Sequence, residues 1–203
     1  MTDFPVLQRS DLDEKQRAFW DRITLGPRGF YCGGPDSKRV PDLYNAYLQF
    51  PELGHSVFDL AEGIRANTEF SGRHRELMVL ITSIELGMRV EYDFHVPMAK
   101  DQGIPAEVIE AIGEGKTPAF ERLDDKAVYE ANLQLLRTAA LTDELRGRLL
   151  DFLGHRGLMQ LVAVATLYVV TAYTTNVAKV KLADDFDVDQ TKINDYYAGR
   201  SNQ

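Results

Sequence analysis

Glu91 and His95 stand four positions apart in the stretch Glu91-Tyr92-Asp93-Phe94-His95. On a helix that spacing puts both side chains on one face, where the carboxylate can hydrogen-bond the imidazole, select its tautomer and raise its affinity for a proton. Such a pair is a proton donor. A competing reading is a solvated i,i+4 ion pair of modest energy. A third is a metal site in which Glu91 and His95 supply two ligands and Glu76, His74 or His155 a third. Glu76 borders the apolar run that opens at Leu77. Burial there would raise its pKa and make it a proton reservoir, whereas a first-turn carboxylate would only favour a helix N-terminus.

Arg28 or Arg89 can hold a substrate carboxylate through a bidentate guanidinium, and Tyr31 and Tyr92 can contact substrate. Each of the four can equally be a surface or packing residue. Cys32 is the single cysteine and lies in a Gly-rich loop away from any helix start, so it reads as an ordinary thiol. No phosphate-cradling glycine motif and no Gly-x-Ser-x-Gly elbow is present, which argues against nucleotide chemistry and that class of serine nucleophile. A formal charge of -8 with no basic stripe argues against nucleic acid as a partner. One cysteine and an N-terminus without a basic-then-apolar leader point to the cytoplasm. Residues 157–178 carry no charge and are long enough to cross a bilayer, but Gln160, Thr166, Thr171, Thr174, Thr175 and Asn176 dilute them. They read as a buried helix, with no membrane partner.

The elements that position these residues read as helices throughout. Asp11 and Glu14 have capping-box spacing for a helix over 11–24, and Leu25–Pro41 is a loop rich in Gly and Pro. Helices follow from Pro41 to Phe50 and from Pro51 to Ala66. Ser71 caps the next, whose stripe of Leu77, Leu80, Ile81 and Ile84 stops at Gly87. In the helix over 89–102, Pro97 predicts a kink or a start delayed to His95. Further helices are expected from Pro105 to Ile112, from an Asp124 cap to Ala140, over 143–153 and over 157–182. No sustained period-two alternation appears, so the fold class is all-α, with a single domain over 1–183 and a polar tail over 184–203.

Several stretches resemble the carboxymuconolactone decarboxylase-like proteins of the alkylhydroperoxidase D-like superfamily. They are Leu7 through Pro27-Arg28-Gly29, then Phe50-Pro51-Glu52-Leu53, Arg73-His74-Arg75-Glu76-Leu77 and Glu91 through Ala99. The helix pair over 73–102 carries the most specific part. In the peroxidase branch a Cys-x-x-Cys pair precedes a histidine, with a glutamate upstream. Laid on this chain, the cysteines fall on Met88 and Glu91, the histidine on His95 and the glutamate on Glu76. A thioether and a carboxylate cannot cycle between dithiol and disulfide, so the resemblance implies the cysteine-free branch, where cofactor-free decarboxylases sit. It implies an alkylhydroperoxidase D-like helical bundle, a homotrimer or homohexamer, no cofactor, and a lyase acting on a small carbonyl acid or lactone. In that reading His95 is general acid/base, Glu91 orients it and Glu76 resupplies its proton. The competing class is a non-enzymatic oligomeric module binding a small hydrophobic ligand. The segment Phe30–Tyr44 is longer than the corresponding family loop.

Overall fold

A computed structural model describes residues 3–26, 29–32, 34, 36–66 and 70–181, apart from the side chains of residues 30 and 31. Every regular element among the described residues is a helix. They pack as two compact units, one drawn from Met1–Glu62 and Thr174–Gln203, the other Gly63–Tyr173.

In the first unit a 3-10 turn, Arg9–Asp11, precedes α1, Glu14–Leu25. The capping box lies two residues later than the expected Asp11 and Glu14. Asp13 Oδ1 accepts from the Gln16 backbone N–H at 2.8 Å, and Gln16 Oε1 accepts from that of Asp13 at 3.0 Å. Asp11 is drawn instead into the 3-10 turn, where its N–H donates to the Gln8 carbonyl. After a second 3-10 turn, Gly29–Cys32, come α2, Asp42–Leu48, and α3, Pro51–Arg65. Phe19, Trp20 and Leu48 are wholly buried here. Gly54 admits the Phe19 ring against α3, since a Cβ there would lie 2.7 Å from it.

The second unit is built around α4, Gly72–Glu85, which packs against α5, Arg89–Asp101, α6, Ala106–Gly113, and α7, Leu123–Thr138. Ser71 caps α4, its Oγ accepting from the His74 backbone N–H at 3.1 Å. Everything from Glu76 to Ser83 is buried, wider than one apolar stripe, because helices cover α4 on several sides. That burial requires the polar groups to find partners, and Asn132 on α7 donates to the Met78 carbonyl at 3.0 Å and to Thr82 Oγ1 at 2.9 Å. Arg73 on α4 grips Asp125 on α7, with Nη2 to Oδ2 at 2.6 Å.

Gly87, at φ +72°, ends the turn after α4, and the Met88 N–H returns to the Ser83 carbonyl at 2.6 Å. The chain therefore doubles back at once, laying α5 along α4. α5 runs unbroken from Arg89 through Pro97, so the delayed start does not occur. Pro97 and Asp93 are both exposed, so the carbonyl that the proline deprives of a donor has access to water.

Asp124 is not the cap of α7. Arg122 holds that position and Asp124 sits within the first turn, its Oδ1 accepting from the Asp125 N–H at 3.0 Å. The last helix, α8, covers Asp143–Ala178 and is interrupted at Gly154, whose φ of 63° and ψ of -178° are not helical. The expected break between 153 and 157 thus falls on the one residue type that adopts this conformation without strain. Lys179, at φ 50°, follows the end of α8, earlier than the expected 182. Leu182 and the tail over 184–203 lie outside the described residues. Among the described residues α8 is the one helix long and apolar enough to span a bilayer, and 50% of its most apolar stretch is buried within the protein itself.

Candidate active site

The α4–α5 hairpin brings Glu76 and His95 together from comparable distances on either side of Gly87. His95 Nδ1 lies 2.7 Å from Glu76 Oε2, and the two side chains are 7% and 3% exposed. A carboxylate can only accept, so Nδ1 carries the hydrogen and the other ring nitrogen, Nε2, is the one free for chemistry. Glu91, one turn earlier on α5, places Oε2 3.5 Å from Nε2 and is 15% exposed. The second oxygen of Glu76 accepts from Arg75 Nε at 3.2 Å. Tyr168 from α8 stands edge-on to the imidazole, ring centroids 5.7 Å apart at 89°, and Phe94 packs against it at 5.4 Å.

Burial pushes the two pKa values toward neutral forms, but mutual attraction outweighs it. For His95, burial lowers the value, while the Glu76 charge and hydrogen bond, with help from Glu91, raise it to about 9. For Glu76, burial raises the value, while His95, then Arg75 and Arg65, hold it down at about 2. This corrects the expectation that burial would turn Glu76 into a proton reservoir: its burial is complete, but cations surround it. At neutral pH the pair is imidazolium and carboxylate.

The roles within the triad also differ from the sequence reading. Glu76, not Glu91, makes the short bond that fixes the ring, because it arrives from a separate helix directly opposite Nδ1. Two other candidates are occupied elsewhere. Tyr92 is 4% exposed and donates its hydroxyl to the Ile109 carbonyl at 2.7 Å, binding α5 to α6. Arg89 is on the surface, paired with Asp93 at 2.9 Å and lying over the Tyr92 ring. Neither of these contacts involves His95. Arg28 and the Tyr31 side chain lie outside the described residues.

Sequence reasoning gave no role to Arg75 or Tyr168. Neighbours at i,i+1 on a helix do not normally face each other, so nothing in the pattern pairs Arg75 with Glu76. Tyr168 is remote in sequence, and only packing brings it to His95.

Among the described residues, one group of donor atoms suited to a metal occurs elsewhere in the second unit, where a ligand atom from each of His74, Asp124 and Asp125 lies within 4.8 Å of the others. His74 Nε2 is 3.3 and 3.5 Å from the two carboxylates. Arg122 and Arg73 already neutralise those carboxylates, and the N-termini of α4 and α7 add positive potential. The cluster is a charge-balanced clasp between two helices. Glu76, Glu91 and His95 are not part of it.

No family model and no curated protein matches the chain. Among solved structures it is similar to the alkylhydroperoxidase AhpD core of an uncharacterized peroxidase-related protein from Ralstonia eutropha JMP134. The TM-score is 0.71 at 12% identity, over 91% of this chain and 94% of that one. At that identity the likeness speaks for the fold, and together with the helices above it shows that this chain has the alkylhydroperoxidase D-like fold.

Proposed function

We propose that the chain is a cofactor-independent lyase of the carboxymuconolactone decarboxylase-like kind, acting on a small carbonyl acid or lactone. The observation that supports this is the buried Glu76–His95 pair, which keeps the imidazole protonated and leaves Nε2–H as its one available donor. Loss of carbon dioxide from a carbonyl acid leaves the bonding electrons in an enolate. His95 Nε2 protonates the enolate carbon and becomes neutral imidazole, while Nδ1–H stays on Glu76. Proton donation of this kind accelerates reactions by roughly a hundredfold to ten-thousandfold. A chain with one cysteine has no intramolecular dithiol to cycle, so thiol peroxidase chemistry of that type is not proposed.

The same reading carries assembly as a homotrimer or homohexamer. The large apolar side chains that α8 leaves exposed, Phe152, Met159, Tyr173 and Val177, are suited to such contacts.

The test is a screen of lactones and keto acids with the purified protein, followed by His95→Ala on whichever compound turns over. Loss of turnover with the assembly intact is expected. Full activity in that variant would overturn the proposal.

A further inference from the structure

We propose that Glu91 is the proton relay between solvent and His95, and that Glu76 carries no proton in the cycle. This rests on the reading of His95 as the proton donor. After each decarboxylation the neutral imidazole has to regain one proton from water at Nε2. The route is set by what surrounds the ring. On the Nδ1 side, Glu76 has one oxygen on His95 at 2.7 Å and the other on Arg75 at 3.2 Å, and at 3% exposure it is shut off from water. Tyr168 and Phe94 pack against the ring at steep interplanar angles, with centroids 5.7 and 5.4 Å away.

What remains is Nε2, and beside it Glu91 Oε2 at 3.5 Å. That distance is at the outer limit of a hydrogen bond, so Glu91 holds the ring far more loosely than Glu76 does and leaves Nε2–H available to a reacting carbon. Side-chain exposure also rises in order from Glu76 at 3% to His95 at 7% to Glu91 at 15%. Glu91 is the member of the triad that meets water. In the step itself, the Glu91 carboxylate takes a solvent proton to become the carboxylic acid, the hydroxide left when water is the source combining with the released carbon dioxide as bicarbonate, and passes the proton to Nε2. The imidazolium is restored, Glu91 is again an anion, and one solvent proton has been consumed for each carbon protonated. Glu76 stays a fixed anion that keeps the ring oriented and charged.

The experiment needs no substrate. Exchange of the His95 Nε2–H with water is measured by NMR on protein carrying isotope-labelled histidine, in the parent chain and in Glu91→Gln, Glu91→Asp and Glu76→Gln. Glu91→Gln is expected to slow Nε2–H exchange by about tenfold or more, and Glu91→Asp to recover part of the rate. Removing a carboxylate also makes the imidazolium more acidic, which by itself would speed exchange, so the sign of the change is diagnostic. Exchange in Glu91→Gln at or above the parental rate overturns the proposal, as does slowing in Glu76→Gln with none in Glu91→Gln. These readouts do not depend on turnover, so they stand apart from the outcome of His95→Ala.

Discussion

His95 Nδ1 on α5 and Glu76 Oε2 on α4 form a 2.7 Å ion pair with almost no access to water. Removing one partner leaves the other charged and buried. Glu76→Gln is therefore expected to bring the His95 pKa down from about 9 to below its ordinary 6.5, because burial is then opposed only by Glu91. The same variant should lose about 3–5 kcal/mol of stability. NMR titration of the imidazole and urea unfolding check the two effects. A His95 that still titrates near 9 would separate its charge state from Glu76.

The pair also sets a pH window for stability. Glu76 is depressed from 4.5 to about 2, so its contribution is present above 4.5 and lost as pH falls through 2. His95 is raised from 6.5 to about 9, so its contribution is present below 6.5 and lost as pH rises through 9. The two describe one interaction, which is fully present between 4.5 and 6.5. Across the alkaline limb the stability advantage over His95→Gln should fall by up to about 1.4 kcal/mol per pH unit. Urea midpoints of the two proteins, measured through pH, give the difference directly.

Tyr92 tests the boundary of the site. Its hydroxyl is committed to the Ile109 carbonyl, so Tyr92→Phe should lower stability by about 1–3 kcal/mol and leave the His95 titration where it was. Gly113→Ala should act in the same direction, since its Cβ would fall 2.3 Å from the Tyr92 hydroxyl. A displaced His95 titration in Tyr92→Phe would return Tyr92 to the site.

Arg73 and Asp125 clasp α4 to α7 beside His74, with Asp125 held at about 2 against the effect of burial by His74 and Arg73. Asp125→Asn is expected to cost about 3–5 kcal/mol. Treatment with a chelator should leave the unfolding midpoint unchanged, because guanidiniums already balance the carboxylates. A midpoint that drops on chelation and recovers with a divalent cation would show that the cluster holds metal.

Much of this arrangement is encoded locally. The Ser71 cap, the Gly87 stop and the proline starts near 41, 51 and 105 are decided by hydrogen bonds and dihedral limits within a few residues, and these are readable along the chain. The i,i+4 relation of Glu91 and His95 follows in the same way from helical periodicity. Local ambiguity explains the misplaced caps: Asp11 and Asp13 offer equivalent acceptors, and a 3-10 turn takes the first. Likewise Arg122, not Asp124, ends up at the head of α7.

The partner of the imidazole was decided by tertiary structure alone. Which carboxylate makes the short bond depends on how α4 and α5 lie against each other after the turn at Gly87, and spacing along one helix cannot report an approach from another. Burial of Glu76 was legible from Leu77 onward, but the direction of its pKa was not. That direction depends on the cations gathered round it, His95, Arg75 and Arg65, whose attraction exceeds the cost of desolvation. Periodicity specifies faces; the packing of faces determines which charges meet, and so which group holds the proton.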